Sequence, residues 1–254
     1  MANTGRRARN RAARHKQITE AASAILSEEG IAALTMQEVA DRVDCAVGTI
    51  YTYFNSKSAL LAALQMDAIR VLADSHEAAA SAWEERFEAM DVDPQVAAVT
   101  RMFALTKLLL SWPELQPREF DFLQVLITTQ EEVISMEDAV TVIPQALTLF
   151  AEGRVLIDAA VDLGVFDCDP DRPGDDGRGR TVRWMAATEG SVLVAQAGAS
   201  VADIDPDAWN RFNVGLRNVA DLMMAWGASR ELIEAATSAL DDLEAADKLL
   251  PAAI

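Results

Sequence analysis

Thr49, Tyr51, Tyr53 and Lys57 place two phenols, a hydroxyl and an ammonium within nine residues. That set suits gripping the oxygens of a sugar-phosphate backbone. Between and before them, Gly48 permits a close approach, and Ala46 and Val47 can offer only apolar contact, for instance to a thymine methyl group. Upstream, Thr35, Gln37 and Arg42 add polar groups. Arg6, Arg7, Arg9 and Arg11 could follow phosphates or enter a minor groove. The stretch after Asp44 has no Arg, Asn or Gln positioned for bidentate base recognition until Asn55, so sequence preference is expected to draw on Arg42, Gln37, the basic terminus and DNA shape.

Little else in the chain could carry chemistry. His15 and His76 have no partner at catalytic spacing, and two cysteines far apart form neither a disulfide framework nor a paired metal motif, which fits a reducing cytoplasm. Cys45 is expected to make a small apolar contact between helices. Asp167, Asp169 and Asp171 alternate like the start of an EF-hand loop. The sixth position is Arg172 rather than Gly and the twelfth is Arg178 rather than Glu, so no metal is expected there. No glycine-rich phosphate loop, nucleophile elbow or paired His/carboxylate motif is present, which argues against an enzyme and a bound cofactor.

The elements that must hold the phosphate-gripping set are legible locally. Thr35 and Glu38 have the spacing of a capping box, and Leu34 and Val39 flank it as a hydrophobic staple. Val39 and Val43 share one helical face, with Ala40 small enough to let a second helix cross closely. Asp44 sits where the chain must turn, and Asp is among the few non-glycine residues that tolerate a left-handed conformation. After the turn, Cys45, Val47, Ile50 and Phe54 supply apolar contacts. An Asn55/Ser56 cap then opens the next helix, with Lys57 at its mouth.

The segment VGTIYTYFNSKSALL at 47–61 resembles the join between recognition helix and fourth helix in the tetracycline-repressor (TetR) family of bacterial regulators. The likeness runs from about Gln17 to Leu61 and includes Ile18-Thr-Glu-Ala-Ala22 and Glu28-Glu-Gly30, similar to that family's first helix. One departure is the turn: the family commonly has Gly-Val-Ser where this chain has Asp44, Cys45 and Ala46, which removes a hydroxyl able to cap the helix and reach a phosphate. The resemblance implies a three-helix helix-turn-helix DNA-binding domain at 17–57, after a basic arm at 1–16. A larger helical effector-binding and dimerisation domain would follow at 58–254.

Charge is divided accordingly. The net charge of −18 hides eight bases and six acids in residues 1–60, against fourteen bases and thirty-four acids in the remainder. Residues 1–16 alone hold six bases and no acid. A nucleic-acid-facing end and a body that repels DNA follow from that asymmetry. With 51% hydrophobic residues the chain can bury a substantial core. The Arg-rich start is no signal peptide, and no uninterrupted apolar run approaches the roughly 20 residues that cross a bilayer, so no membrane partner is expected.

The rest of the chain reads as helices without strand alternation, hence an all-α fold. Expected segments are Lys57–Ala80, Pro94–Leu110, Pro117–Glu132, Asp138–Leu163 with Pro144 at a kink or start, Thr181–Ser200, Asp207–Ala228 and Arg230–Leu249. Trp112-Pro113 is expected to break the pattern, and 164–180 to form a mobile loop. Ala186, Gly190, Leu193, Val194, Ala197, Phe212, Leu216, Val219 and Met223 mix small and apolar side chains, suited to pairing with a second copy in a twofold four-helix bundle. Met102, Phe103, Leu105, Leu109, Trp112, Phe122, Leu126 and Phe150 form an apolar reserve. The family resemblance implies a pocket there for a small apolar or amphipathic effector whose binding would release a palindromic operator. Other readings are a DNA-binding architectural or cell-division factor without an effector, and a helical enzyme with scattered catalytic residues.

Overall fold

The computed structural model describes residues 2–128, 134–167, 174–198 and 209–251. Among the described residues there are ten α-helices and no strand, as the sequence leads one to expect. In chain order they are α1 (Ala2–Glu29), α2 (Met36–Arg42), α3 (Val47–Tyr51), α4 (Lys57–Met90), α5 (Pro94–Leu115), α6 (Pro117–Thr128), α7 (Met136–Asp162), α8 (Gly177–Gly198), α9 (Arg211–Ala225) and α10 (Arg230–Ala245).

The chain forms two compact units, one of residues 1–72 and 116–147, the other of 73–115 and 148–254. The division falls inside α4 and α7, not at 57/58, and the first unit recruits α6. Its core explains why. Ile18, Ala22 and Ile25 of α1, Val39 and Ala40 of α2, Ile50 of α3 and Leu60, Leu61 and Leu64 of α4 are buried together with Phe122 of α6. The three α1 residues recur at helical spacing, so that helix lays one stripe on the others. Phe122 therefore fills the core of the first unit and does not join the apolar reserve of α5.

Indole rings dominate the core of the second unit. Trp83, Trp184 and Trp226 are buried with Phe87, Phe103 and Phe166. Each of two indoles has a hydrogen-bond acceptor that its burial requires: Trp83 Nε1 donates to the Leu249 carbonyl at 2.9 Å, and Trp184 Nε1 to Thr106 Oγ1 at 2.8 Å. The Thr106 hydroxyl donates in turn to the Met102 carbonyl. Within this unit α5 packs against α8, α9 and α10. Gly215 lets α9 come close, since a Cβ there would lie 2.7 Å from Leu110.

Three expectations are corrected here. Pro113 does not end α5, which runs two residues further, because a proline so near the C-terminus disrupts only the last turn. The basic segment is no extended arm before the first helix: it forms the first turns of the 28-residue α1. Finally, part of 164–180 is anchored. Arg180, 1% exposed, pairs with the buried Asp175 at 3.0 Å and stacks over Trp226 and Phe166. Residues 168–173, including Asp169, Asp171 and Arg172, lie outside the described residues. Asp167 spends its backbone on Trp226 and Arg180, and no metal-holding cluster occurs among the described residues.

Helix α7 also qualifies an expectation. Although charges interrupt it, it contains a stretch of mean hydropathy 1.4, long and apolar enough by composition to cross a membrane. Ile157 and Ala160 on this helix are nonetheless buried in the core of the second unit.

Candidate nucleic-acid interface

Helix α2 starts as its sequence dictates. Thr35 adopts extended backbone angles and its hydroxyl accepts the Glu38 N–H at 3.0 Å, satisfying one donor that the first turn leaves free. Leu34 and Val39, the two staple residues, are both fully buried. The helix closes with the Cys45 N–H donating to the Ala40 carbonyl at 3.0 Å. Asp44 takes φ 50°, the left-handed turn expected of it.

After that turn Ala46 is the N-cap of α3, with extended angles and no side-chain hydrogen bond. This is the direct consequence of having no hydroxyl at that position. Ile50 and Phe54 anchor α3 in the core, and Cys45 and Val47 pack partly against it. The outward side carries Ala46, Gly48, Tyr51 and Thr52, with Tyr51 52% exposed. Gly48 faces open space: a Cβ there would meet nothing within 4 Å. Thr49 is half-buried, so its hydroxyl is less free than that of a surface residue.

Two cations in the expected set are already engaged. Arg42 donates to Glu28 at 2.8 Å and to Glu29 at 2.7 Å, joining the end of α2 to the end of α1. The hydrogen bond with Glu28, helped by the charges of Glu28 and Glu29, raises the Arg42 guanidinium above its ordinary pKa. Arg42 is thus a clamp within the module, and its availability to bases is correspondingly reduced. The sequence held a signal for this, since two carboxylates end α1 with no base in its last turn, where the helix dipole disfavours them. Lys57 Nζ donates to the Ile31 carbonyl at 3.0 Å, tying α4 to the loop before α2. Gln37 reaches Asp41 at 2.8 Å on its own helix and stays exposed.

On α1, Arg6, Arg7, Arg9 and Arg11 are all exposed. Arg11 lies 5.3 Å from the centre of the Tyr53 ring, and His15, one turn on, lies 4.8 Å from Phe54. Sequence reading missed both contacts because it treated residues 1–16 as an arm.

The expected effector residues differ in exposure. Met102, Phe103, Leu105 and Trp112 are buried and Leu109 is partly buried, whereas Phe150 is exposed. The side chain of Leu126 lies outside those described. A solvent-open groove of about 400 Å³ in the second unit is lined by Asp74, His76, Glu77, Glu84 and Glu152 among others. Its carboxylates do not suit an apolar molecule.

Of the expected pairing residues, Val219 and Met223 are buried in the chain's own core, because α9 spends that face on α5 and α8. Leu216 also packs partly against it and Phe212 is half-buried. Ala186, Leu193, Val194 and Ala197 of α8 are exposed and Gly190 is half-buried; Val182 on the same helix is 58% exposed.

A capped helix packed on α1, a left-handed turn and a short second helix packed on the first constitute a helix-turn-helix DNA-binding module, the class of structure that fold and site define. Residues 18–64 match the family described as bacterial regulatory proteins, tetR family. The protein carries the TetR-family DNA-binding module, followed by a helical domain of the same family's fold. Over 48 residues it is 54% identical to the HTH-type transcriptional repressor KstR of Mycobacterium tuberculosis; that stretch is 19% of this chain and 22% of the relative. The chain thus spans about a fifth of the curated relative it matches. A tetR-family regulatory protein from Rhodococcus RHA1 superposes with a TM-score of 0.56 at 18% identity, covering 85% of this chain and 97% of that one. RolR in complex with resorcinol superposes at 0.55 and 15% identity, covering 91% and 96%.

Proposed function

We propose that this protein is a sequence-specific DNA-binding transcriptional repressor of the cytoplasm, acting as a homodimer and released from a palindromic operator by a small apolar or amphipathic effector. The observation that carries the reading is the exposed surface of Ala46, Gly48, Tyr51 and Thr52 at α3, held on a module so similar to that of a named repressor. Tyr51 and Tyr53 position the protein on phosphates, while Ala46, Val47 and Gly48 face base edges. Such a small surface makes few base contacts, and two half-sites about one helical turn apart are the usual remedy. The exposed apolar and small residues of α8 supply a self-complementary face for the second copy. For the effector, the support is that a neighbour in fold, RolR, is known with resorcinol. No catalytic role is proposed.

The test is selection from a randomised duplex pool, followed by binding measurements across salt. Recovery of a palindrome with two half-sites is the expected result. Absence of any enriched sequence would remove the repressor reading and leave an effector-independent factor. Once the palindrome is in hand, a screen for compounds that lower its affinity separates the effector-released repressor from an architectural protein, which no compound would displace.

A further inference from the structure

Because α1 is helical from Ala2, its arginines are not interchangeable. Ile18, Ala22 and Ile25 define the side of α1 that meets the core. Stepping back along that side at helical spacing reaches Arg14 and His15, then Arg11, then Arg7. The contacts agree: His15 meets Phe54 and Arg11 sits over the Tyr53 ring. At 100° per residue Arg9 falls on the opposite side, about half a turn from Ile18, and Arg6 about a third of a turn from it, both off the stripe that carries Arg7 and Arg11. Arg14 is bonded to Gln17 at 3.1 Å, which leaves Arg7 and Arg11 as the pair beyond the core.

We infer that Arg7 and Arg11, together with Tyr53, form a one-sided clamp on DNA phosphates flanking the base-reading part of each half-site, whereas Arg6 and Arg9 point away and do not contact DNA. This rests on the DNA-binding reading above and narrows it to one face of one helix. The guanidinium over the Tyr53 ring restrains both side chains before DNA arrives, so that less motion is lost on binding. Arg11 then offers its remaining donors to a phosphate oxygen beside the Tyr53 hydroxyl. The clamp reads no bases. It adds affinity and register, and its energy is tied to counterion release.

The experiment compares the wild type with the double variants R7A/R11A and R6A/R9A, using the selected palindromic duplex and the same duplex trimmed just outside the half-sites. All four positions are exposed, and circular dichroism confirms that each variant keeps its helix content. On the full duplex, R7A/R11A should flatten the slope of log affinity against log salt by about 1.8 per half-site, at about 0.9 per phosphate contact. R6A/R9A should leave most of the slope in place. Trimming should abolish the difference between wild type and R7A/R11A. Equal slopes for the two double variants, or a difference that survives trimming, would overturn the inference. A wild type that binds no duplex at all would instead sink the repressor reading, so the two failures are distinguishable.

Discussion

The two units of this molecule are both helical, yet different chemistry holds each of them. The first unit is a mainly aliphatic core fastened at its rim by a hydroxyl cap at Thr35, an ion clamp at Arg42 and a lysine tether at Lys57. In the second, buried polar groups are threaded through an aromatic core, joining Trp83 to Leu249, Trp184 to Thr106 and Arg180 to Asp175. Composition marks the same divide, since all five tryptophans lie in 73–115 and 148–254 while both tyrosines lie in the first unit. A module that must present one short helix in a fixed pose is pinned where the chain turns. A body without that duty can spread its constraints over the whole length of its helices.

Four changes test that contrast. The largest effect is expected from Trp184→Ala, which opens a cavity and strips Thr106 of its donor; about 4 kcal/mol should be lost from the unfolding transition reported by the remaining tryptophans. Next, Ile50→Ala should cost about 3 kcal/mol in the first unit. Its signature is loss of duplex binding and of helical circular dichroism at a denaturant concentration that leaves tryptophan emission unchanged. Should the emission shift in step, the units unfold as one and the contrast is thermodynamically empty.

Asp44→Val is smaller but more pointed, because a β-branched residue cannot easily adopt φ 50°. A loss of about 1–2 kcal/mol is expected, and Asp44→Gly should be tolerated. Equal behaviour of the two variants in urea titration would show that the turn is not under backbone constraint. The smallest effect concerns acid. In the first unit Asp138 accepts hydrogen bonds from Ser58 and Ser135, which hold its carboxyl below the usual range, the Ser58 bond more strongly. A depressed folded pKa means a stabilisation present above the unfolded carboxylate pKa, near 4, and lost as pH falls through the lower folded value. Asp138→Asn should therefore make the first unit less sensitive to acid below about pH 4, read from circular dichroism melts at pH 3 and pH 7.

What could be read in advance follows the same division. Thr35, Val39, Asp44, Ile50 and Ser56 act on neighbours within a few residues, so their roles were visible as spacing. The Trp83 and Trp184 partners are 166 and 78 residues distant, and no local pattern records them. Arg180 looked like loop because its Gly- and Asp-rich surroundings carry no periodicity; its burial depends on Trp226, supplied by another helix. In the proposed interface, side-chain type suggested a part in sequence preference for Arg42 and a phosphate contact for Lys57. Their partners within the protein, Glu28, Glu29 and Ile31, belong to elements that meet them only in three dimensions. The face proposed for a second copy was half legible: small and apolar residues marked α8, but only packing reveals that Val219 and Met223 of α9 are spent inside.

The empty space over Gly48 bears on how readily such a protein could change its target. Around it every fastening points inward or sideways, and the position itself touches nothing. An arginine placed there would bring to α3 the paired donors that recognise guanine, and an asparagine the donor and acceptor that recognise adenine, at the modest cost or gain of exchanging a helical glycine. The scaffold would not need to be rebuilt. In that sense the surface is an unwritten one: a lineage, or a laboratory selection, could give it a new address by a single codon change.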